Sequence, residues 1–446
     1  MAWSSVKEQI TDGTSGLAPN SGAIALVIGT SSKGGLSPLT VGKKSDISKI
    51  LGYGEMPKRI IDMQKTMADV SVLALRTKGD VEGTISQINT LGNINITLTG
   101  TPLCTSEVKC EIYTEGTIGQ AEVKISLTGD IKKEEIILLP ADGIIALEDI
   151  GLTLVFPLEI AFTETSQWSF STTAPTSSFD IIEEAVKNAL ELHTPEFVFI
   201  AQSVDGAFVK RLGATAELLF EDHKPIMFLC ETSLDSSKSY SEAIADKQAE
   251  FVKIDARFVS VVCQPLANGI SSSALCAGHI TKARVNQSVG ATNNFAIYYG
   301  EAPAEWTNIN SRALDESRFI TLRTYAGLQN LFWTNGRTMA NDKSDYRYIE
   351  VVRTVFKAIR LARRASLPYI QAPGDETGLQ NLLAEVRNSI EGMTTSNPKE
   401  LDDCEVIMPS GQDVVNNGVR LDISLFGIPI IRSILLNFSF KYNKGE

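Results

Sequence analysis

The segment after Ile28 has the glycine spacing of a phosphate-binding loop. Gly29-Thr-Ser-Ser-Lys-Gly34 follows an apolar run, and its two glycines are placed as they are in that motif. The chemistry of such a loop needs a lysine that reaches the phosphates, followed by a Ser or Thr that holds magnesium. Gly35 and Leu36 occupy these two positions here. We therefore predict a flexible turn after a strand and no nucleotide site.

The histidines give no metal-binding pattern. His193, His223 and His279 lie at least thirty residues apart. The potential ligands near them at helical spacing are single acids such as Glu191 and Asp222. Because a metal site needs several ligands close together, the sequence predicts none.

The serines, acids and cysteines show no catalytic arrangement either. No Gly-x-Ser-x-Gly elbow surrounds a serine, and Glu183 and Glu184 are adjacent on a predicted helix, so their side chains point apart. Neither an enzyme activity nor a cofactor is predicted, although catalytic carboxylates leave no local signature in a sequence. The cysteines are sparse and lack Cys-x-x-Cys spacing, which predicts reduced, structural thiols. They are Cys104, Cys110, Cys230, Cys263, Cys276 and Cys404.

The composition is that of an ordinary globular protein with an acidic balance. The length of 446 residues is enough for two or three domains. With 43% hydrophobic and 21% charged residues, the chain can form a sizeable core. The formal net charge of −12 argues against binding to nucleic acid or to an anionic membrane. No signal peptide is visible and no run of about 18 apolar residues could span a bilayer. We therefore expect synthesis in a cytosol and no membrane insertion.

Buried strands alternate with helices in two separate parts of the chain. The run Ala23–Gly29 is continuously apolar, as expected for a strand that is covered on both faces. The order predicts an α/β core, a mostly parallel sheet with helices on both faces, formed by residues 21–93 and 176–418. The other predicted elements are the helices Pro57–Ala68, Phe179–Leu192, Ala207–Phe220, Tyr240–Ile254 and Ser271–Gln287, and the strands Val70–Leu75, Phe197–Ala201, Pro225–Cys230 and Phe258–Cys263.

The sequence between these two parts alternates with period two. Apolar and polar residues follow each other in about five segments, and no helical pattern interrupts them. The pattern predicts an inserted all-β domain, a small antiparallel sandwich or barrel, at residues 94–175. The segments are Ile94–Thr99, Val108–Ile112, Ala121–Leu127, Leu152–Phe156 and Trp168–Phe170.

The last third of the chain predicts a strand at Phe319–Ala326, a hairpin turn at Asn335-Gly336, and the helices Tyr346–Ser366 and Gly378–Met393. The first helix carries the densest basic stripe of the chain, opposite an apolar face. Such a stripe is either a solvated face or a docking face for an acidic partner. It consists of Arg353, Lys357, Arg360 and Arg364.

The C-terminal segment Val419–Tyr442 predicts two long alternating strands. A terminal strand of this kind either pairs inside its own domain or completes a sheet in a neighbouring subunit. The apolar face of the second strand consists of Ile434, Leu436, Phe438, Phe440 and Tyr442.

Several segments resemble those of a known family in their residue pattern and in their order along the chain. They are Gly22-Ala-Ile-Ala-Leu-Val-Ile-Gly-Thr-Ser-Ser-Lys-Gly-Gly-Leu-Ser-Pro, Ser45-Asp-Ile-Ser-Lys-Ile-Leu-Gly-Tyr-Gly, Gly116-Thr-Ile-Gly-Gln-Ala, Asp149-Ile-Gly-Leu-Thr-Leu-Val-Phe, Gln167-Trp-Ser-Phe, Asn335-Gly-Arg-Thr and Asp345-Tyr-Arg-Tyr-Ile-Glu-Val-Val-Arg. In this order they resemble the contractile tail sheath proteins of bacteriophages and phage-like injection particles. The resemblance covers most of the chain and contains no invariant motif.

The resemblance implies an assembly and a set of partners. The β domain would face outwards, while the α/β core and the C-terminal helices would form an inner layer around a tail tube. Residues 1–20 and 419–446 would be arms that pair with neighbouring copies in rings stacked into a helical sheath, assembled in the bacterial cytoplasm. The further partners would be the tail tube, baseplate and terminator or cap proteins, with the basic helix contacting the tube or a neighbour.

Two alternatives stay open at this point. The first is another structural component with the same fold, either a tail or baseplate protein or the small-particle sheath of a bacterial secretion machine. The second is an α/β enzyme with an embedded β domain. A sheath protein should form rings or long tubes on concentration, whereas an enzyme should remain a small closed oligomer.

Overall fold

The computed structural model describes residues 24–263 and 266–440. Its internal contacts divide the chain into two compact units, residues 1–284 with 289–352, and residues 285–288 with 353–446. The predicted N-terminal arm, residues 1–20, and Tyr442 lie outside the described residues. No helix within the described ranges has the length and apolarity needed to cross a bilayer.

The first unit contains most of the regular structure. Its helices are α1 Ile47–Leu51, α2 Glu55–Gln64, α3 Phe179–Leu192, α4 Gly206–Glu221, α5 Tyr240–Phe251, α6 Ser272–Lys282 and α7 Asn308–Glu316. Its strands are β1 Ala25–Gly29, β2 Leu39–Gly42, β3 Ser71–Arg76, β4 Asn89–Leu91, β5 Thr97–Gly100, β6 Ser106–Thr114, β7 Glu122–Gly129, β8 Lys133–Leu138, β9 Ile144–Leu147, β10 Leu152–Val155, β11 Gln167–Thr172, β12 Phe197–Ser203, β13 Met227–Thr232, β14 Val259–Cys263, β15 Leu322–Arg323 and β16 Phe332–Trp333.

A six-stranded sheet with the order β14-β13-β12-β1-β3-β2 forms the centre of this unit. Its strands are parallel to their neighbours except β2, which is antiparallel to β3. Every residue of β1, β13 and β14 is buried, as expected for strands covered on both faces. The predicted mixed α/β fold is thereby confirmed.

The helices lie on both faces of this sheet because its strand order reverses. The chain runs from β1 through α2 to β3 in one direction, and from β12 through α4 to β13 in the other, so right-handed crossovers place α2 and α4 on opposite faces. Helix α6 packs beside α2, and α3 packs beside α4. The carboxyl ends of β1 and β12 therefore form a topological switch point, where α/β proteins bind their ligands.

Local sequence fixes where these helices begin. The Asp205 carboxylate accepts a hydrogen bond from the Phe208 N–H at 2.8 Å at the start of α4. Ser239 and Glu242 form a reciprocal capping box at the start of α5. The predicted limits of α3 agree with the structure because its buried residues follow one helical face closely.

The region of period-two sequence forms two antiparallel sheets, with the orders β5-β10-β9 and β4-β11-β6-β7-β8. They share one core around Trp168, which is fully buried and donates its Nε1–H to the Ile94 carbonyl at 2.7 Å. The Phe156 ring packs edge-on against Trp168, with ring centroids 5.4 Å apart. The strand β8 was not predicted from sequence, because this edge strand is rich in charge and mostly exposed.

Two predictions for the end of the first unit are wrong. Only Leu322–Arg323 of the predicted strand Phe319–Ala326 is a strand, and it pairs with Phe332–Trp333. Asn335-Gly336 does not turn a hairpin, because the Asn335 amide instead donates to the Asp315 carboxylate at 2.9 Å. The chain then continues away from β16 towards the helix that follows.

The second unit has its own hydrophobic core. It contains α8 Ile349–Ser366, which begins at the end of the first unit, followed by α9 Glu376–Thr395, β17 Asp403–Ile407, α10 Val414–Asn417 and β18 Asp422–Phe426. Val386 and Ile390 of α9 pack with Leu401 and Val406 in this core. Residues 353–418 were assigned to the α/β core from the sequence. The structure instead groups them with the C-terminal strand, because they bury their apolar faces in a cluster of their own.

Of the two predicted C-terminal strands, the first is present, and the part of the second that the structure describes is not a strand. Strand β18 pairs antiparallel with β17, from Asp403 opposite Phe426 to Ile407 opposite Asp422. Residues 427–440 form neither strand nor helix. A strand requires a partner along one edge, and the described part of this chain supplies none for this segment.

Candidate subunit-interaction site

The two-stranded sheet of β17 and β18 is a template for further strands. Among the described residues each of these strands has one partner, so each keeps an outer edge. On β17 that edge is partly used, since Arg387 donates to the Val406 carbonyl at 3.1 Å and the Asp403 carboxylate accepts from the Cys404 N–H at 2.8 Å. The outer edge of β18 has no such side-chain cover from the described residues. It is the more open of the two edges.

The segment that follows β18, residues 427–440, is apolar and exposed. Ile434 is 74% exposed and Phe438 is 90% exposed, values that are unusual for such side chains. Apart from Arg432, the segment contains no charged residue. Monomeric proteins rarely expose a contiguous apolar surface of this kind, which marks an interaction site.

Four of the five residues predicted for the arm therefore lie on this surface. Leu436 and Phe440 are exposed like Ile434 and Phe438, and Tyr442 lies outside the described residues. Extended backbone with alternating apolar side chains can add main-chain hydrogen bonds to an open sheet edge while its side chains enter pockets beside it. The described residues thus contain an open sheet edge and an exposed apolar segment that follows it.

The basic residues of α8 do not share one environment. Arg353 is buried at 2% exposure, Lys357 and Arg360 are half-buried, and Arg364 is exposed. The Lys357 ammonium lies 2.5 Å from the Glu400 carboxylate, which gives it a partner inside the unit. The predicted stripe is therefore not a continuous solvent-facing surface, and Arg364 is its exposed end.

The turn after β1 does not have the geometry of a phosphate loop. The Arg76 guanidinium donates to the carbonyl oxygens of Ser31 and Gly34, both at 2.9 Å. A phosphate loop presents N–H groups to an anion, whereas these carbonyl oxygens converge on a cation. The turn that was predicted to be flexible is thus held by a side chain of the neighbouring strand β3.

A buried ionic network lies at the carboxyl end of β13. The Arg59 guanidinium from α2 contacts the Glu55 carboxylate and, at 3.2 Å, the Glu231 carboxylate. Burial by itself would lower the pKa of Arg59, but Glu55 and Glu231 raise it above its ordinary value. Burial would likewise raise the pKa of Glu231, but Arg59 and the hydroxyls of Ser273 and Ser271 hold it below its usual value. Both groups are therefore charged at neutral pH.

The same helix anchors the β domain to the sheet. Thr105 donates its hydroxyl to the Glu55 carboxylate at 3.2 Å, and the Lys58 ammonium lies 3.2 Å from the Asp130 carboxylate. Burial raises the pKa of Asp130, and its contact with Lys58 opposes this shift. The Gln202 side chain, in β12, bonds both the N–H and the carbonyl of Ser177 where the chain returns from the β domain. The edge of the sheet where a ligand would bind instead holds this domain.

His279 and the buried cysteines lie in structural positions. His279 is buried, its Nδ1 accepts a hydrogen bond from the Trp333 indole N–H at 2.9 Å, and burial lowers its pKa to about 4. Burial raises the pKa of Cys104 to about 11 and that of Cys110 to about 12, so both are unreactive thiols. Within residues 24–263 and 266–440, no three His, Cys, Asp or Glu side chains are grouped as metal ligands would be.

Sequence reasoning missed the ionic network. Arg59 and Glu231 are 172 residues apart, and neither belongs to a motif. The available signal was weak: an arginine that falls among the apolar positions of α2, and an acid that ends an otherwise apolar strand. Buried charges of this kind are paired, but the sequence alone does not say with what.

The fold is similar to that of contractile sheath proteins. It matches the sheath of an extracellular contractile injection system, PVC, in the contracted state, with 11% identity, 99% of this chain and 98% of the other covered, and a TM-score of 0.54. It also matches the contracted helical sheath of the anti-feeding prophage, with 13% identity, 98% of each chain covered and a TM-score of 0.52. A sheath tail protein from Desulfitobacterium hafniense aligns at 15% identity and a TM-score of 0.49, over 96% of this chain and 100% of its own.

The chain belongs to the DUF2586 family. The profile of the family's N-terminal domain matches residues 3–337, and that of its C-terminal domain matches residues 345–445. A search of curated proteins finds no significant match.

Proposed function

We propose that this protein is the structural subunit of a contractile sheath, which polymerises around a tail tube and contracts to drive the tube through a target cell envelope. The observation that carries the proposal is the exposed apolar segment 427–440 beside an open two-stranded sheet. In a chain with the sheath fold, this segment has the composition of an arm that pairs with a neighbouring copy.

In this proposal the arm of one subunit adds a strand to the outer edge of β18 in the next. The contact joins two different surfaces, so it is heterologous, and repeated contacts of this type generate a helical array when they do not close. The N-terminal residues 1–20 would act as a second arm. Covalent linkers between the units and their arms let subunits move while the strand pairing is kept.

The remaining parts take the positions that the sheath resemblance implies. The β domain faces outwards, and the α/β core with the second unit forms the layer next to the tube. Arg364, the exposed end of the basic helix, contacts the tube or a neighbouring subunit. The baseplate and cap proteins bind the two ends of the array, which is assembled in the bacterial cytoplasm and acts in a phage tail or a phage-like particle.

Contraction needs no catalytic site in this scheme. An extended sheath would be a metastable packing, and a trigger at the baseplate would let successive rings rotate into a wider packing with more buried contact. The buried network of Arg59, Glu55 and Glu231 and the contacts of the β domain with α2 support a first unit that moves as a rigid body. The work comes from packing and electrostatics between subunits, not from a nucleotide.

The test is electron microscopy of the purified protein over a concentration series. We expect the full chain to form rings or long hollow cylinders with a helical repeat, because each copy offers an arm and a sheet edge. A chain that ends at Gly427, which keeps β18, serves as the matched control and should remain monomeric. Small closed particles of the full chain at every concentration would contradict the proposal and favour an enzyme or an accessory tail component.

A further inference from the structure

The side chain of Glu231 lies where many α/β proteins hold an anionic ligand. It is at the carboxyl end of β13 and faces the start of α6. One carboxylate oxygen accepts hydrogen bonds from the Ser271 hydroxyl at 2.9 Å, the Ser273 hydroxyl at 2.5 Å and, more weakly, the Ser273 N–H at 3.4 Å. The other oxygen lies 3.2 Å from the Arg59 guanidinium.

These donors surround the carboxylate as they would a bound anion. Arg59 is 6% exposed, and its Nε–H is buried without a hydrogen-bond partner in the described structure. The guanidinium thus keeps a donor that a carboxylate, with its two oxygens, leaves unused. An anion with three or four oxygens would have acceptors for this donor, for the second guanidinium nitrogen and for both hydroxyls.

We propose that this cluster is an oxyanion-binding site that the protein fills with its own Glu231 carboxylate. The ligand class of the emptied site is a tetrahedral oxyanion such as sulfate or inorganic phosphate. Two further acids are close by. Asp62 accepts from the Ser271 N–H and lies 2.5 Å from the Lys65 ammonium, and Glu55 contacts a different guanidinium nitrogen of Arg59 from the one that faces Glu231. In the wild-type protein the bound carboxylate excludes free anions and ties β13 to α2 and α6.

The inference is independent of the proposed sheath function. It concerns a single unit and is measured on dissociated protein, so failure of polymerisation would not affect it.

The experiment is thermal unfolding of Glu231→Ala on the chain that ends at Gly427, in sodium sulfate and in sodium chloride at matched ionic strength. We expect the variant to melt well below its parent, because Arg59 loses a buried partner. Sulfate should then raise the melting temperature of the variant by about 3 °C or more beyond chloride, in a saturable manner. The parent chain and the exposed control Asp246→Ala, which loses only a surface contact with Lys238, should show the same small general salt effect as each other.

Two further variants make the result decisive. In Glu231→Ala combined with Arg59→Met, the sulfate response should disappear, because the cation that selects the anion is gone. If Glu231→Ala does not fold in chloride, Glu231→Ser is refolded from urea in each salt, and a higher folded yield in sulfate supports the site. Equal behaviour of Glu231→Ala or Glu231→Ser in sulfate and chloride, or a sulfate response that survives loss of Arg59, would overturn the proposal.

Discussion

Residues whose type could bind a metal or take part in catalysis can instead be part of the packed core of this protein. His279 illustrates this, since it lies in the core against Trp333, with Phe295 at 5.4 Å between ring centroids. Its neutral form is the one that the Trp333 N–H requires as an acceptor. The same residue type that suggests a metal ligand in a sequence is here part of a hydrophobic interior.

His279 predicts a defined dependence of stability on pH. Because burial lowers its pKa from 6.5 to about 4, protonation favours the unfolded state. Its contribution is fully present above pH 6.5 and is lost as the pH falls towards 4, by about 3 kcal/mol in all. Urea unfolding of the wild type and of His279→Gln, which keeps an acceptor for Trp333, should therefore converge in stability over this range.

The control for this prediction is His223→Asn. His223 is exposed, with φ of 61°, a conformation that asparagine tolerates. This variant measures the effect of removing an exposed histidine, and the change seen for His279→Gln is compared with it. A constant difference between the wild type and His279→Gln across these pH values would contradict the burial argument.

Elements were predictable to the extent that their own pattern determines them. Helix α3 was predicted with its observed limits, since five apolar side chains mark its buried face. The buried strands of the sheet were found for the same reason. Charge-rich β8 at a sheet edge and the short pairing of β15 with β16 depend on partners distant in sequence, and no local pattern encodes them.

Of the two predicted C-terminal segments, β18 belongs to the folded second unit and residues 427–440 are exposed. Two truncations can test this division. A chain that ends at Gly418 loses β18, whose Leu425 packs against the core of the second unit. A chain that ends at Gly427 keeps it. We expect amide hydrogens of α9 to exchange at least about tenfold faster in the first truncation and at the full-chain rate in the second. Equal protection of α9 in both truncations would contradict the division.

At the scale of the whole molecule, two features stand out. The first unit has a sheet whose strand order reverses, and the edge where a ligand would bind is covered. The second unit exposes an apolar segment. The β domain occupies the end of the sheet that many α/β enzymes use for substrates, because its Thr105 and Asp130 contact Glu55 and Lys58 of α2. The division into two units was not predictable, because the period of α8 and α9 is the same whichever core they pack against.

The central claim is that residues 427–440 join one subunit to the next as an added strand. It is tested most directly by electron microscopy of two neighbouring charge substitutions, Phe438→Asp and Ser439→Asp. Both positions are exposed in the single chain, so neither change should affect its folding. In an added strand these side chains point to opposite faces, and only Phe438 enters the contact. The account predicts that Phe438→Asp abolishes polymers while Ser439→Asp retains them. Polymers of wild-type length from Phe438→Asp, or equal loss in both variants, would contradict it.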